Sequence, residues 1–96
     1  MSAEDTAVRL AKDVVLQVID GDALLLKLDD EVVFSLNATG ARIVKLIADG
    51  HRVPEIVQVL SEEYGASPAD VEEDVVGLVR TLAARGLVVA RDEREH

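Results

Sequence analysis

The side chains that carry chemistry are unevenly supplied in this chain. It has 19 Asp and Glu against 10 Lys and Arg, with two histidines and no cysteine. Disulfides and thiolate metal sites are therefore excluded. A histidine metal site or a Ser-His-Asp arrangement needs partners gathered around an imidazole. His51 follows Gly50 in a turn signal and His96 is the last residue, and neither has paired ligands spaced around it. There is no glycine-rich phosphate loop and no dinucleotide fingerprint. The densest carboxylate group is Asp70, Glu72, Glu73 and Asp74, just after Ser67-Pro68. Negative charge at a helix start is stabilised by the helix dipole, which accounts for most of that group. Asp74 could also receive a basic group of a ligand. Arg80 suits either a pair within its own helix or an acidic ligand residue. Arg85 sits where a cation complements a helix C-terminus. No catalytic activity and no cofactor are expected.

What remains is the chemistry of the main chain. Glu31-Val-Val-Phe-Ser-Leu-Asn-Ala-Thr-Gly40 reads as a β-strand that stops on a helix N-cap. Successive strand side chains alternate between faces, so Val32, Phe34 and Leu36 share one face and Glu31, Val33 and Ser35 the other. An unpaired edge of such a strand offers N–H and C=O groups to another extended chain.

Charge narrows the partners. The net charge is −9 and the sequence pI about 4.5. Nucleic-acid binding depends on Lys and Arg displacing counterions from phosphate, and an anionic membrane surface selects for the same residues. Neither partner is expected. No apolar run approaches the roughly 20 residues of a membrane span. The N-terminus lacks the basic start and apolar centre of a signal peptide, so a cytoplasmic location is expected. Apolar residues make up 49% of the chain but aromatics only 2%. The core must therefore be built from Val, Leu, Ile and Ala, with Phe34 and Tyr64 the only rings.

The elements that must position the edge separate well. Asp13–Ile19 and Ala23–Leu28 read as strands joined by the turn signal Asp20-Gly21-Asp22. Asp29-Asp30 then leads into a third strand, Glu31–Leu36, completing an antiparallel meander. Asn37 is a good N-cap for a first helix that ends at Gly50. A second helix starts near Pro54 and stops at Gly65. Ser67-Pro68-Ala69-Asp70 opens a third, with Ser67 as N-cap in a box-like arrangement. That helix buries Val71, Val75, Leu78, Val79 and Leu82 and closes at Gly86. Leu87–Ala90 reads as a short extended segment. Residues 1–12 and 91–96 are expected to be flexible tails around one domain, 13–90. The fold class is α+β, winged-helix-like, with a three-stranded antiparallel sheet followed by three helices. In winged-helix DNA binders the third helix enters the major groove. Here it begins Asp70-Val-Glu-Glu-Asp74, which would repel phosphate.

The pieces in order carry a resemblance. Phe34-Ser-Leu-Asn-Ala-Thr-Gly40 is followed by Ile43-Val44-x-Leu46-Ile47-x-Asp49-Gly50. Ile56-x-x-x-Leu60-x-x-x-Tyr64 comes next, then Asp74-Val75 and Leu82-x-x-x-Gly86-Leu87. Together, over roughly residues 13–89, they resemble the PqqD family, the small peptide chaperones also called RiPP recognition elements. The resemblance implies a non-catalytic adaptor. It would bind the leader segment of a ribosomally made precursor peptide as an added β-strand, in a groove between the third strand and third helix. It would then deliver the precursor to a maturation enzyme, such as a radical SAM enzyme, a cyclase or a protease.

On this chain the implied groove is Glu31–Leu36 with Pro68–Arg85. The strand contacts would be Glu31, Val32, Val33, Phe34 and Ser35. The helix contacts would be Val71, Asp74, Val75, Val76, Leu78, Val79 and Arg80. Val33 reads either as a groove wall or as an isolated surface valine, and Val32 and Phe34 also read as core. Val76, off the main apolar stripe, is the best helical candidate for touching a peptide. Gly77 is unusual in mid-helix: either another backbone approaches it or its cost is tolerated. Many relatives carry Tyr or Trp just before the Leu-Asn pair, where this chain has only Phe34. A monomer or weak dimer is expected. The alternative is a winged-helix regulator or dimeric interaction subunit acting by protein–protein contact.

Overall fold

A computed structural model describes residues 7–20 and 22–90. The element order is β1 (Val8–Leu10), β2 (Val14–Ile19), β3 (Asp22–Lys27), β4 (Val32–Leu36), α1 (Ala38–Ala48), α2 (Val53–Tyr64), α3 (Pro68–Ala84) and β5 (Val88–Ala90). Strands β2, β3 and β4 form the expected antiparallel meander, in that spatial order. In its register Leu16, Leu25 and Phe34 lie side by side, as do Val15, Leu26 and Val33. The first row faces the helices, with Leu25 wholly buried, and the second faces outward, with Val33 60% exposed. The β-branched and leucine-rich strands thus form a two-faced sheet, and the helices cover one face.

Helix boundaries follow local chemistry. The Asn37 side chain accepts a hydrogen bond from the Gly40 N–H at 2.8 Å, satisfying one of the otherwise unpaired first-turn donors. Gly50 and Gly65 adopt φ of +99° and +61° where α1 and α2 end, a conformation glycine reaches without a Cβ penalty. Ser67 occupies the N-cap position of α3, yet its side chain makes no capping bond. The box-like arrangement expected there does not form. Bidentate contact between Arg42 and Glu63 ties α1 to the end of α2.

The core has two buried clusters. One joins α1, α2 and α3 through residues that include Ile43, Ile47, Ile56, Leu60 and Val75. The other joins the sheet to α1, α3 and the C-terminal strand through Leu25, Leu36, Val44, Leu82, Leu87 and Val88. Leu78 and Val79 pack against both.

Two further expectations need correction. Residues 8–10, placed in a flexible tail, form β1, which pairs antiparallel with β5 so that Val8 opposes Ala90. Val8 is buried in the helical cluster, and the Ala11 N–H donates to the Leu87 carbonyl at 3.0 Å. Apolar burial and ladder bonds together hold this segment. Glu31, assigned to the third strand, instead lies in the turn before β4 with φ of +57°. Residues 91–96 and Gly21 of the first hairpin turn lie outside the described residues.

Candidate functional site

β4 is an edge strand: it pairs with β3 on one side and with no other strand among the described residues. Ladder geometry identifies which of its peptide groups are free. The Leu28 N–H donates to the Asp13 carbonyl at 3.0 Å, so residue 28 turns its polar groups toward β2. In an antiparallel pair those groups alternate sides from one residue to the next. Lys27, Leu25 and Ala23 therefore turn theirs toward β4, opposite Val32, Phe34 and Leu36. Val33 and Ser35 are left pointing their N–H and C=O groups away from the sheet.

α3 runs beside this edge in the opposite direction, and two observations locate its ends. A Cβ on Gly86, just past the helix, would lie 3.4 Å from Cε of Lys27, and Lys27 pairs with Val32 at the start of β4. At the other end Asp74 and Leu78 line a cleft of about 380 Å³ with Asn37, Thr39, Gly40 and Ile43, where β4 passes into α1. The main packing partners of α3 are α2 and β5, not β4. The strip of surface between the open β4 edge and α3 is the candidate channel.

At about 100° per residue, Asp74, Leu78, Thr81 and Arg85 share the channel face of α3. Val71 and Val75 are buried, Val75 completely, in the helical cluster, so neither is open to a ligand. Val76 is turned to the side of that same cluster and packs against it. A wide buried face accounts for an apolar residue there. Val79 packs between the two clusters. Arg80 is exposed and points roughly opposite to Leu78. On the strand, Val32 and Phe34 are half-buried on the helix-facing side, while Val33 and Ser35 are exposed on the outer face. Asp74, Leu78 and Phe34 are thus brought to the channel with the β4 edge. Arg80, Val76 and Glu31 are not.

Arg85 was given only a dipole role by its position, but it does more. Its guanidinium lies over the Phe34 ring, 5.2 Å from the centroid, a contact typically worth about 0.5–1 kcal/mol at an exposed site. The 74–78–81–85 spacing puts Arg85 on the same helix face as Asp74, but nothing local in the sequence lays that face against Phe34.

The sheet side of the channel is held by Lys27. Its ammonium pairs with Asp13 at 3.0 Å and with Asp30 at 3.6 Å. The hydrogen bond from Lys27 lowers the Asp13 pKa, and the same bond raises that of Lys27. Among the described residues no group of three or more His, Asp or Glu could hold a metal ion, and no helix is long and apolar enough to cross a membrane.

Residues 22–88 match the family described as Coenzyme PQQ synthesis protein D (PqqD). Among solved structures, TbiB1 in complex with the TbiA(beta) leader peptide is 33% identical with a TM-score of 0.82, covering 88% of this chain and 99% of that one. Lasso peptide synthetase B1, complexed with a leader peptide, is 30% identical with a TM-score of 0.80, covering 86% and 98%. The PqqD truncation of Methylobacterium extorquens PqqCD is 28% identical with a TM-score of 0.76, covering 92% and 93%. That protein is described as a functional, stand-alone RiPP recognition element. No curated protein matches the chain.

Proposed function

This chain belongs to the PqqD family, and on that footing we propose that it is a leader-peptide-binding adaptor. It takes the leader of a ribosomally made precursor as an additional strand on β4 and hands the precursor to a modifying enzyme. The observation that carries this reading is the unpaired β4 edge facing a channel beside α3, with Val33 and Ser35 presenting free peptide groups. Main-chain bonding to such an edge supplies affinity with little sequence dependence, and flanking side chains supply selectivity. TbiB1 and lasso peptide synthetase B1, two of the structures it resembles, hold leader peptides.

The adaptor has no chemistry of its own. Its acidic surface suits a cytoplasmic partner enzyme with a basic docking face, met by electrostatic steering more than by added affinity. It acts as a monomer or weak dimer. The test is an NMR titration of the labelled protein with synthetic leaders of short peptides encoded beside it. Amide shifts confined to β4 and to the Asp74–Arg85 face of α3 are expected, at unchanged oligomeric mass. If no such leader shifts these amides at high micromolar concentration, or if the protein dimerises through β4 instead, the reading fails.

A further inference from the structure

The channel carries opposite charges at its two ends. Asp74 lines the cleft at the β4–α1 junction, and Arg85 lies over Phe34 nearer the start of the strand. Both side chains are exposed and on the same face of α3. Lys27, Arg42 and Lys45 are each engaged by a carboxylate. Among the described residues Arg85 has no carboxylate partner, in a chain with a net charge of −9. An arginine held by its contact with a ring keeps N–H donors for a planar anion. Asp74 likewise has no cation partner among the described residues.

Resting on the strand-addition reading above, we propose that this groove selects leaders by charge polarity. The preferred strand carries a Lys or Arg where it passes Asp74 and an Asp or Glu where it passes Arg85. The spacing is set by two element geometries. Asp74 and Arg85 are eleven positions apart on α3, about 16 Å at 1.5 Å per residue. That length equals about five strand residues at 3.3 Å each. Side chains on one face of a strand recur at every second residue. A separation of about four residues keeps both charges on the helix side, and their own reach covers the remainder. Antiparallel pairs are the more stable per residue, and that direction places the cation N-terminal to the carboxylate. The charges select between leaders and the main-chain bonds hold them.

The experiment uses two acetylated, amidated peptides of about ten alternating Thr and Val residues, long enough to span β4. One carries Lys and then Glu four residues later, and the other has the two exchanged. Each is titrated into the full chain by NMR at low salt. The Lys-first peptide should bind about fivefold more tightly, the range of two exposed ion pairs gained against two repulsions. The preference should vanish in about 1 M NaCl, where the Debye length is near 3 Å. The charge-exchanged double variant Asp74→Lys with Arg85→Glu should prefer the other peptide. Both positions are exposed, and an unchanged amide spectrum elsewhere confirms that the variant is folded. Equal binding of the two peptides with shifts on β4 overturns the charge-polarity proposal and leaves strand addition standing. A preference that survives the double exchange also overturns it. Absence of β4 shifts with both peptides, and with encoded leaders, overturns both readings.

Discussion

Gly77 separates the stability of α3 from its function, because the two should respond to one substitution with opposite sign. It lies in the middle of α3, is exposed, and has nothing within 4 Å of where a Cβ would stand. No neighbouring backbone therefore requires glycine in the free protein. In a helix interior glycine is less favourable than alanine by about 0.8–1.0 kcal/mol, and leucine is close to alanine. Gly77→Ala and Gly77→Leu should each stabilise the free protein by somewhat less than 1 kcal/mol. For a domain of this size that raises Tm by about 3–6 °C. The same position flanks the Asp74–Leu78–Thr81–Arg85 face on its solvent side, where an added strand would pass. A leucine there must be displaced or must displace the strand, and overpacking of that kind costs about 1–3 kcal/mol, or roughly 5- to 150-fold in affinity. Thermal denaturation followed by circular dichroism gives the first quantity and NMR titration with an encoded leader gives the second. If Gly77→Leu lowers Tm, the helix environment is misread. If Tm rises and leader affinity is unchanged, the strand does not pass along this side of α3.

Leu82 is wholly buried where α3 meets the sheet, and Leu82→Ala should cost about 2–5 kcal/mol in urea denaturation; a loss below 1 kcal/mol would contradict that packing. Asn37→Ala removes the bond to the Gly40 N–H and should cost about 1 kcal/mol by the same assay. The Asp13 pKa is lowered from 3.8, chiefly by its hydrogen bond to Lys27. The folded state binds that proton less readily than the unfolded state, so this contribution is present above pH 3.8 and is lost as pH falls through the lower folded value. A pH series of denaturation midpoints should show a decline below about pH 4 that is shallower in Asp13→Asn; identical declines would show that the Lys27 pair adds nothing.

Most of the frame was legible because it is local. Asn37, Gly50 and Gly65 mark helix ends by their own backbone and side-chain chemistry, and the alternation of Val32 to Leu36 predicts the faces of β4 that the register shows. The pairing of Val8–Leu10 with Val88–Ala90 was not legible, since three residues carry too little alternation and the partner lies at the other end of the chain. The partial burial of Val76 was not legible for a related reason. Periodicity locates the centre of a helix's buried face but not its width, and here that face reaches Val76. The contact between Arg85 and Phe34 depends on how α3 lies across the sheet, which no local pattern encodes. Glu31 reads as strand by alternation, but the turn takes it into the left-handed region.

The most direct test of strand addition on β4 is residue-resolved amide hydrogen exchange, with and without a bound leader. Val32 and Phe34 already direct their N–H groups to β3, so their exchange should change little when leader is added. The amides of Val33 and Ser35 point to the open edge, and each should slow by about tenfold or more as it gains a hydrogen bond in a saturated complex. Slowing at Val33 and Ser35 above that at Val32 and Phe34 is the result the account predicts. Uniform slowing across β4, or none at Val33 and Ser35 while the leader is demonstrably bound, would contradict it.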